Sequence, residues 1–149
     1  MIYWFTGQPG HGKTVLCNLL KEYIETTYHK KVIHIDGDDI REIFQNKDYS
    51  KEGRVKNITF AQNLAHFCNT KGFDVVVSVV SPYKEVRESF KEKMGTNIVE
   101  FYVHASVERG RESYHVSDYE APTDNFIEVD TTYDTPRESL NYVTSGAGI

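Results

Sequence analysis

A glycine-rich segment near the amino end constrains the fold of this chain more than any other feature. The segment matches the pattern G-x-x-x-x-G-K-[ST] at every fixed position and stands between a short apolar run, 2–6, and a helical pattern that begins at Lys13. Glycines let the backbone curl so that successive N–H groups point at a phosphate, and the following helix adds the positive end of its dipole. We therefore expect a phosphate loop that binds ATP or GTP. Its residues are Gly7, Gln8, Pro9, Gly10, His11, Gly12, Lys13 and Thr14.

The motif predicts a separate role for each of three side chains in the loop. Lys13 is expected to place its ammonium against the outer phosphates of ATP, which makes it a catalytic as well as a binding residue. Thr14 is expected to offer its hydroxyl to Mg²⁺, the metal ion that accompanies ATP. His11 stands at a variable position of the motif, where we expect a spacer that faces solvent rather than a catalytic group.

Hydrophobic runs alternate with helical periodicity along the chain, which predicts one α/β domain over residues 1–149. Alternating strands and helices build a parallel sheet with right-handed crossovers, so we expect a P-loop NTPase fold: a five-stranded parallel sheet with helices on both faces. The strands are predicted over 2–6, 31–36, 73–80, 97–103 and 126–130, and the helices over 13–28, 38–45, 53–71, 83–94 and 136–143. Residues 105–122 are predicted to form a helix and a loop, and residues 144–149 a frayed tail.

Composition narrows the class of protein. The 149 residues carry 17 Lys and Arg against 22 Asp and Glu, a net charge of −5, so a general nucleic-acid binder is not expected. No apolar run is long enough to cross a bilayer, so no membrane partner is expected. Cys17 and Cys68 lie far apart and fit no metal-binding spacing, which favours buried free thiols in a reducing compartment, the cytoplasm.

Acidic residues follow the second predicted strand directly. Because ligands bind at the carboxyl ends of parallel strands, Asp36 and Asp38 should lie near the phosphate loop. A carboxylate there can bind Mg²⁺ through water or accept a proton from an attacking hydroxyl, so both are candidate catalytic residues. The alternative is that Asp38 or Asp39 caps the following helix. Arg41, one helical turn further on, either faces the same pocket and binds an anionic acceptor or forms a surface salt bridge.

The third strand ends at Ser81, where many P-loop NTPases carry an acidic metal ligand. The missing acid argues against a motor ATPase, and the chain also lacks the Asn/Thr-Lys-x-Asp signature of guanine recognition. A small-molecule kinase fits better, because the nucleotide phosphates, Thr14 and water can hold its metal ion. The expected partner is therefore a small-molecule phosphate acceptor.

Five segments occur in an order that is typical of one kinase family. They are Gly7 to Thr14, Asp36-Gly-Asp-Asp-Ile-Arg41, Tyr49-Ser50 with Gly53-Arg54-Val-Lys-Asn57-Ile58, Val80-Ser81-Pro82-Tyr83 with Arg87, and Asp118-Tyr-Glu-Ala-Pro122. Together they resemble the adenylylsulfate kinases, which phosphorylate the 3′-hydroxyl of adenosine 5′-phosphosulfate (APS) with ATP. The phosphate loop alone is shared by many kinases, but the combination is much more specific and covers most of the chain.

The resemblance implies catalytic roles. Asp38 corresponds to the base that receives the proton of the acceptor hydroxyl, with Asp36 nearby for the metal ion and for electrostatic stabilisation. Ser81 matches a serine that is described in the family as a phosphorylated intermediate. Direct in-line transfer needs no covalent serine, so a role in positioning the ligands remains the alternative for Ser81.

The resemblance also implies an acceptor-binding set. Arg41, Arg54 and Asn57 would hold the phosphosulfate end of the acceptor, together with Asp38 and Ser81 at its reacting end. The ring of Tyr49 would take the place of an aromatic side chain that stacks on the acceptor adenine. Family members are often dimers, so a homodimer is implied as well.

The segment after the fourth strand departs from the family pattern. The family has a longer basic lid there, with a Lys-Asn-Phe-Thr-Gly-like run whose phenylalanine closes over the acceptor base; residues 103–119 are shorter and contain no such run. Arg109 and Arg111 are candidate lid arginines that neutralise the transferred phosphate, whereas Glu108 and Glu112 also fit a solvated helix face. We expect APS as the acceptor. The alternatives are another nucleoside, nucleotide or modified nucleic-acid base, and a nucleotide-binding module without turnover.

Overall fold

In the computed structural model, which describes residues 1–107 and 109–149, strands and helices alternate along the chain. Glu108, predicted as part of a solvated helix face, lies outside the described residues. The strands are β1 (Ile2–Thr6), β2 (Val32–Asp36), β3 (Asp74–Ser78), β4 (Ile98–His104) and β5 (Ile127–Asp130). The helices are α1 (Lys13–Tyr28), α2 (Gly37–Ile43), α3 (Lys51–Thr70), α4 (Lys84–Met94) and α5 (Pro136–Ala147), with short 3-10 turns at Gly95–Asn97 and Glu112–Tyr114.

The strands of the described residues form a parallel five-stranded sheet in the order β2-β3-β1-β4-β5. Every residue of β1 and β3 is buried, as expected of strands that are covered on both faces. Side chains of α2, α3 and α4 pack on one face, and side chains of α1 and α5 pack on the other. The predicted fold class, a P-loop α/β sheet with helices on both faces, is therefore confirmed.

The structure also bears on the two cysteines and on the length of apolar helices. Cys17 and Cys68 are both buried free thiols, as predicted. Across the described ranges, no helix is both long and apolar enough to span a bilayer.

The carboxyl end of the chain differs from its prediction. The tail predicted over residues 144–149 is wrong, because α5 continues to Ala147 and ends at Gly148, whose φ is +72°. The helix begins with a capping box in which the hydroxyl of Thr135 accepts from the amide of Glu138. Packing of its apolar face on the core then stabilises the extra turn.

The segment between β4 and β5 also differs from its prediction. Residues 105–107 and 109–122, which we call the lid, contain the 3-10 turn Glu112–Tyr114 and no α-helix. The polar sequence of this segment has no apolar stripe that would bury one face of a helix. The helix predicted within 105–122 is therefore wrong.

Gly53 lies in the first turn of α3, which begins two residues before its predicted start. The Ser50 hydroxyl caps the helix by accepting a hydrogen bond from the Gly53 amide (3.3 Å). A Cβ on Gly53 would lie 2.2 Å from the carbonyl oxygen of Asp48, so a larger residue cannot fit without moving that backbone. This close approach shapes the connection between α2 and α3, which carries Tyr49.

Gly53→Ala is expected to destabilise the protein by about 1–3 kcal/mol, because the Asp48 backbone must shift to admit the methyl group. The free energy of unfolding in urea measures the effect. Gly37→Ala is the matched control: its new Cβ would meet no atom closer than 3.6 Å, so a change within about 0.5 kcal/mol is expected. Equal unfolding midpoints for the two variants would contradict the prediction.

Candidate active site

The phosphate loop uses backbone conformations that glycine adopts without strain. Gly10 and Gly12 have φ values of +83° and +102°, in the left-handed region. Gly7 approaches β4 so closely that a Cβ on it would lie 2.1 Å from the carbonyl oxygen of Val103. Gly12 is the N-cap of α1 and supplies no side-chain cap, so the first N–H groups of α1 are available to an anion.

A cavity of about 310 Å³ opens in front of the loop. It brings several of the predicted nucleotide-binding residues together with both candidate acids. The lining includes Pro9, Gly10, Gly12, Lys13, Thr14, Asp36 and Asp38. Gly7, Gln8 and His11, the other predicted loop residues, lie outside this lining. The cavity has the position and the donor groups that a polyphosphate requires.

The Lys13 side chain is folded back into its own loop. Its Nζ donates a hydrogen bond to the carbonyl oxygen of Gln8 (2.9 Å), and the side chain is buried. Burial disfavours the ammonium and lowers the pKa of Lys13 from its usual 10.5 to about 8, although the negative charges of Asp36 and Asp38 oppose the shift. A proton of Lys13 is therefore lost more easily than that of an exposed lysine.

ATP binding is expected to weaken as the pH rises through about 8, because the Lys13 ammonium loses its proton there while the phosphates keep their charge. The apparent dissociation constant, measured by calorimetry, should rise about tenfold for each pH unit above that pKa. Lys13→Arg is the control, since a guanidinium stays charged throughout this range and should give a flat profile. A flat wild-type profile would contradict the prediction.

Asp36 joins three elements at the edge of this cavity. Its Oδ1 accepts hydrogen bonds from the hydroxyls of Thr14 (3.0 Å) and Ser78 (2.6 Å). Its Oδ2 accepts from the amide of Asp38 (3.2 Å), which makes Asp36 the N-cap of α2. The alternative in which Asp38 or Asp39 caps that helix is therefore wrong, and the Asp38 carboxylate is not used for capping.

Oxygen ligands for Mg²⁺ are present beside the loop. The Thr14 hydroxyl and the Asp36 carboxylate, whose oxygens are 3.0 Å apart, are the hard donors that this ion prefers. In the part of the chain that the structure describes, no group of three or more His, Cys, Asp or Glu side chains is placed to hold a metal ion. The donor set thus fits a Mg²⁺ ion that takes its other ligands from nucleotide phosphates and water.

A second cavity, of about 460 Å³, adjoins the first. All the predicted acceptor residues line it: Asp38, Arg41, Tyr49, Arg54, Asn57 and Ser81. The residues that line both cavities are Pro9, Gly37, Asp38, Val79, Val80 and Arg111. Asp38 and Arg111 are the charged side chains at this junction. Both charges are therefore available to a group that lies where the two cavities meet.

Arg41 and Tyr49 support each other in the acceptor cavity. The guanidinium of Arg41 lies 4.0 Å from the centre of the Tyr49 ring and donates to the carbonyl oxygens of Asn46 (3.1 Å) and Asp48 (3.0 Å). The described residues give Arg41 no acidic partner, so the surface salt bridge considered for it is not found there. The Tyr49 side chain is 64% exposed, which leaves much of its ring available for stacking.

Arg54 and Asn57 extend the cavity wall from α3. The guanidinium of Arg54 lies 3.6 Å from the carboxylate of Asp118, in the lid. The amide of Asn57 donates to the carbonyl oxygen of Gly37 (3.3 Å), which ties α3 to the segment that carries the acids. Through the second contact, the cavity wall on α3 is joined to the amino end of α2, where Asp38 lies.

Ser81 is buried, and its groups are already engaged. The indole N–H of Trp4 donates to its Oγ (3.2 Å), and Arg87 donates to its carbonyl oxygen. Its φ of +47° is uncommon for a residue other than glycine, and these hydrogen bonds hold it there. The arrangement favours a positioning role for Ser81 over a nucleophilic one.

The lid arginines differ in placement. Arg111 lines both cavities and packs on Gly10, where an added Cβ would lie 2.9 Å from the Arg111 Cβ. Arg109 instead turns toward the loop after β5 and donates to the carbonyl oxygen of Thr131 (2.5 Å). Of the two candidates, Arg111 is the one that the structure brings to the cavities.

His11 does not face solvent, so that prediction is wrong. It is 8% exposed, and its ring meets His115 of the lid edge-on, with ring centres 5.1 Å apart. Burial, together with the nearby positive charges, lowers the pKa of His11 from 6.5 to about 4. The imidazole is therefore neutral at physiological pH.

Comparisons with known proteins agree with this geometry. Residues 1–143 match the model of the adenylylsulphate kinase family. A cytidine diphosphoramidate kinase of Campylobacter jejuni is 30% identical over 143 residues, covering 93% of this chain and 83% of the relative. An adenylyl-sulfate kinase of Picosynechococcus is 33% identical over 159 residues, covering 94% and 89%.

Solved structures share the fold. The APS kinase of Mycobacterium tuberculosis, in complex with AMPPNP and APS, superposes with a TM-score of 0.82 at 19% identity and covers 97% of this chain and 95% of that one. The loop, the paired cavities and the sheet define an ATP-dependent P-loop kinase, a phosphotransferase. More particularly, this chain belongs to the adenylylsulphate kinase family.

Proposed function

We propose that this protein transfers the γ-phosphoryl group of ATP to a ribose hydroxyl of a nucleotide acceptor, with the 3′-hydroxyl of APS as the first candidate. One observation carries the proposal: Asp38 lines both the cavity of the phosphate loop and the adjoining cavity with the basic and aromatic side chains. A base at that junction can meet an acceptor hydroxyl and a phosphoryl group at once.

The proposed reaction is an in-line displacement. The acceptor oxygen bonds to the γ-phosphorus while the bond from that phosphorus to the β,γ-bridging oxygen breaks, and ADP leaves with the bridging oxygen. Asp38 receives the hydroxyl proton. Lys13 and the first N–H groups of α1 stabilise the negative charge on the phosphates, and Arg111 does so from the lid side. We further propose that Thr14 and Asp36 hold Mg²⁺, which when bound neutralises phosphate charge.

The chemistry of the second cavity supports a nucleotide acceptor. Arg41 and Arg54 supply positive charge for an anionic 5′ group, and the Asn57 amide lies on the same wall. The exposed ring of Tyr49 is available to stack on a base. Sugars without a base would leave that ring uncovered.

Cytidine diphosphoramidate is the second candidate acceptor. The cytidine diphosphoramidate kinase of Campylobacter jejuni matches 93% of this chain at 30% identity. The short lid, which has no counterpart of the family's Lys-Asn-Phe-Thr-Gly-like run, also favours a changed acceptor base. Stacking on Tyr49 is compatible with either base, because every base has a π-face.

A panel of acceptors tests the proposal. Purified protein is incubated with γ-labelled ATP, Mg²⁺ and one acceptor at a time: APS, cytidine diphosphoramidate, CDP, adenosine or none. Label transferred to APS alone supports the first candidate, and label transferred to the cytidine compound alone supports the second. The control is Asp38→Asn, which should slow transfer to either acceptor by about 10²-fold or more. No transfer to any acceptor by protein that binds ATP would contradict the kinase function and favour a binding module.

We also propose a homodimer in the cytoplasm. Exposed apolar side chains lie at the end of α2, directly after it and on α3: Ile43, Phe44, Leu64 and Phe67. The Phe44 ring stacks on that of Phe60, with centres 4.2 Å apart. Large exposed apolar groups commonly mark an association surface. Light scattering should give twice the chain mass, and a monomer would contradict the proposal. The buried, unpaired thiols fit a reducing compartment.

A further inference from the structure

The lid is attached to the phosphate loop through a position that the loop motif leaves variable. The Nε2 of Gln8 donates a hydrogen bond to the carbonyl oxygen of Val116 (2.9 Å), and the amide of Val116 donates to the Oε1 of Gln8 (2.8 Å). The side-chain amide thus pairs with one lid residue through both of its polar ends. Val116 is buried, so water competes little for these hydrogen bonds.

Two contacts flank this pair and extend the interface. Gly10 leaves room for the Arg111 side chain, and the ring of His11 packs edge-on against His115. Within the described residues, Gln8 is the loop residue whose side chain forms hydrogen bonds to the lid. The hydrogen bonds of Gln8 therefore join the phosphate loop to the lid, between the contacts made by Gly10 and His11.

The two ends of the lid are anchored elsewhere. Near its start, Arg109 donates to the carbonyl oxygen of Thr131. Near its end, the hydroxyl of Tyr119 is hydrogen-bonded to that of Thr6, at the end of β1 (2.8 Å). The Thr131 hydroxyl also donates to the carbonyl oxygen of His11 (2.8 Å), so the first anchor meets the loop through its backbone, whereas the second anchor lies just before the loop, on Thr6. Between these anchors, the lid contacts α3 through Asp118 and Arg54, and it contacts the phosphate loop beside Arg111 through Gln8 and Gly10.

We propose that Gln8 is a positioning residue that couples nucleotide binding in the loop to the placement of the lid over the acceptor cavity. When the loop backbone binds the phosphates, the loop becomes more ordered. The hydrogen bonds between Gln8 and Val116 then restrict the motion of the lid as well. Arg111, on the same lid, is thereby held where the two cavities meet. The inference rests on the proposed function in one respect, that a nucleotide fills the loop. It does not depend on which acceptor is used.

The amide is the feature that matters in this proposal. Gln8→Ala removes both hydrogen bonds to Val116. Gln8→Glu keeps the side-chain length and an acceptor for the Val116 amide, but its carboxylate cannot donate to the Val116 carbonyl oxygen. The two variants therefore separate the loss of the whole pair from the loss of one half of it.

Amide hydrogen exchange, followed by NMR, is the direct test. The reporter is the Tyr114 amide, which donates to the carbonyl oxygen of Arg111 inside the lid and does not contact Gln8. In the wild type, Mg²⁺ and a non-hydrolysable ATP analogue should slow its exchange by about fivefold or more, a typical coupling between sites. Gln8→Ala should bind the analogue but show no such slowing, and Gln8→Glu should be intermediate.

The control variant is Asn63→Ala, which removes an exposed amide side chain from α3 and should behave as the wild type does. Melting temperatures establish that each variant is folded. Should Gln8→Ala fail to fold, Gln8→Glu decides the matter by the same measurement. In steady-state assays, both variants should raise the KM of the acceptor more than that of ATP.

Three outcomes would overturn the proposal: a wild type without nucleotide-dependent slowing at Tyr114, a Gln8→Ala variant that keeps the full slowing, and a Gln8→Glu variant equal to the wild type. Failure of the proposed function gives a different result. If no acceptor is phosphorylated, the exchange measurement still reports whether the nucleotide orders the lid through Gln8.

Discussion

Lys13→Met is expected to lower kcat by about 10³-fold or more, because it removes the ammonium that stabilises charge on the transferred phosphoryl group. The variant should remain folded, since methionine keeps an unbranched apolar stem in the buried position. Burial of the ammonium is itself unfavourable, as the lowered pKa of about 8 indicates, so its removal should not reduce the melting temperature. Initial rates of ADP formation with the active acceptor, together with thermal unfolding, measure both effects.

Lys47→Met provides the matched comparison, because this exposed lysine lines neither cavity. Its rate should equal that of the wild type. A Lys13→Met rate within about tenfold of the wild type would show that the loop does not act on the transferred phosphate as proposed.

Asp38→Asn is expected to lower kcat by about 10²- to 10⁴-fold, the range over which a positioned general base accelerates a reaction. The amide has nearly the same size but cannot take the proton of the acceptor hydroxyl. Affinity for an ATP analogue should change little, because Lys13 and the loop backbone provide the main phosphate contacts. Single-turnover rates and analogue binding, measured on the same preparation, separate the two effects.

Asp39→Asn is the control, because it removes the same negative charge from the amino end of α2 without removing the proposed base. Asp39 neighbours Asp38, is exposed and lines neither cavity, and the cap of α2 is provided by Asp36. Its variant should keep the wild-type rate. If both variants lost activity equally, net charge at this end of α2 would be the cause, and the assignment of Asp38 as the base would be wrong.

The fold and the nucleotide loop were predictable because their signals are local. Apolar strands that are buried on both faces have a continuous apolar pattern, and β3 with its run of valines has that pattern. The loop motif specifies Gly7 and Gly12, and both have positive φ values in the structure. The acids after β2 could be located because parallel strands end at one edge of the sheet.

The contacts between distant segments were not predictable in the same way. His11 and Gln8 occupy variable motif positions, and nothing in their neighbourhood indicates that the lid, about a hundred residues later, packs on them. Ser78 was assigned to the interior of a longer strand. Its position beside Asp36 follows from the register between β2 and β3, which a single sequence does not specify.

Sequence also left the capping of α2 open, because three aspartates stand within four residues. The choice depends on where β2 ends: Asp36 has an extended backbone (φ −105°, ψ 140°), which lets its carboxylate turn back onto the Asp38 amide. The same geometry brings its other oxygen to Thr14 and Ser78. One residue thus serves the helix and the candidate metal site together.

The packing of α5 on α1 determines when the chain can first bind nucleotide tightly. α1 carries the nucleotide loop at its amino end, and its buried leucines share a core with Val143 of α5. During synthesis α1 leaves the ribosome before its packing partner α5 does, because α5 stands more than a hundred residues later in the chain. A chain cut before Pro136 would retain the whole loop, both acids and the lid, yet leave the inner side of α1 uncovered. Tight nucleotide binding should therefore require α5 and be lost in that truncated chain.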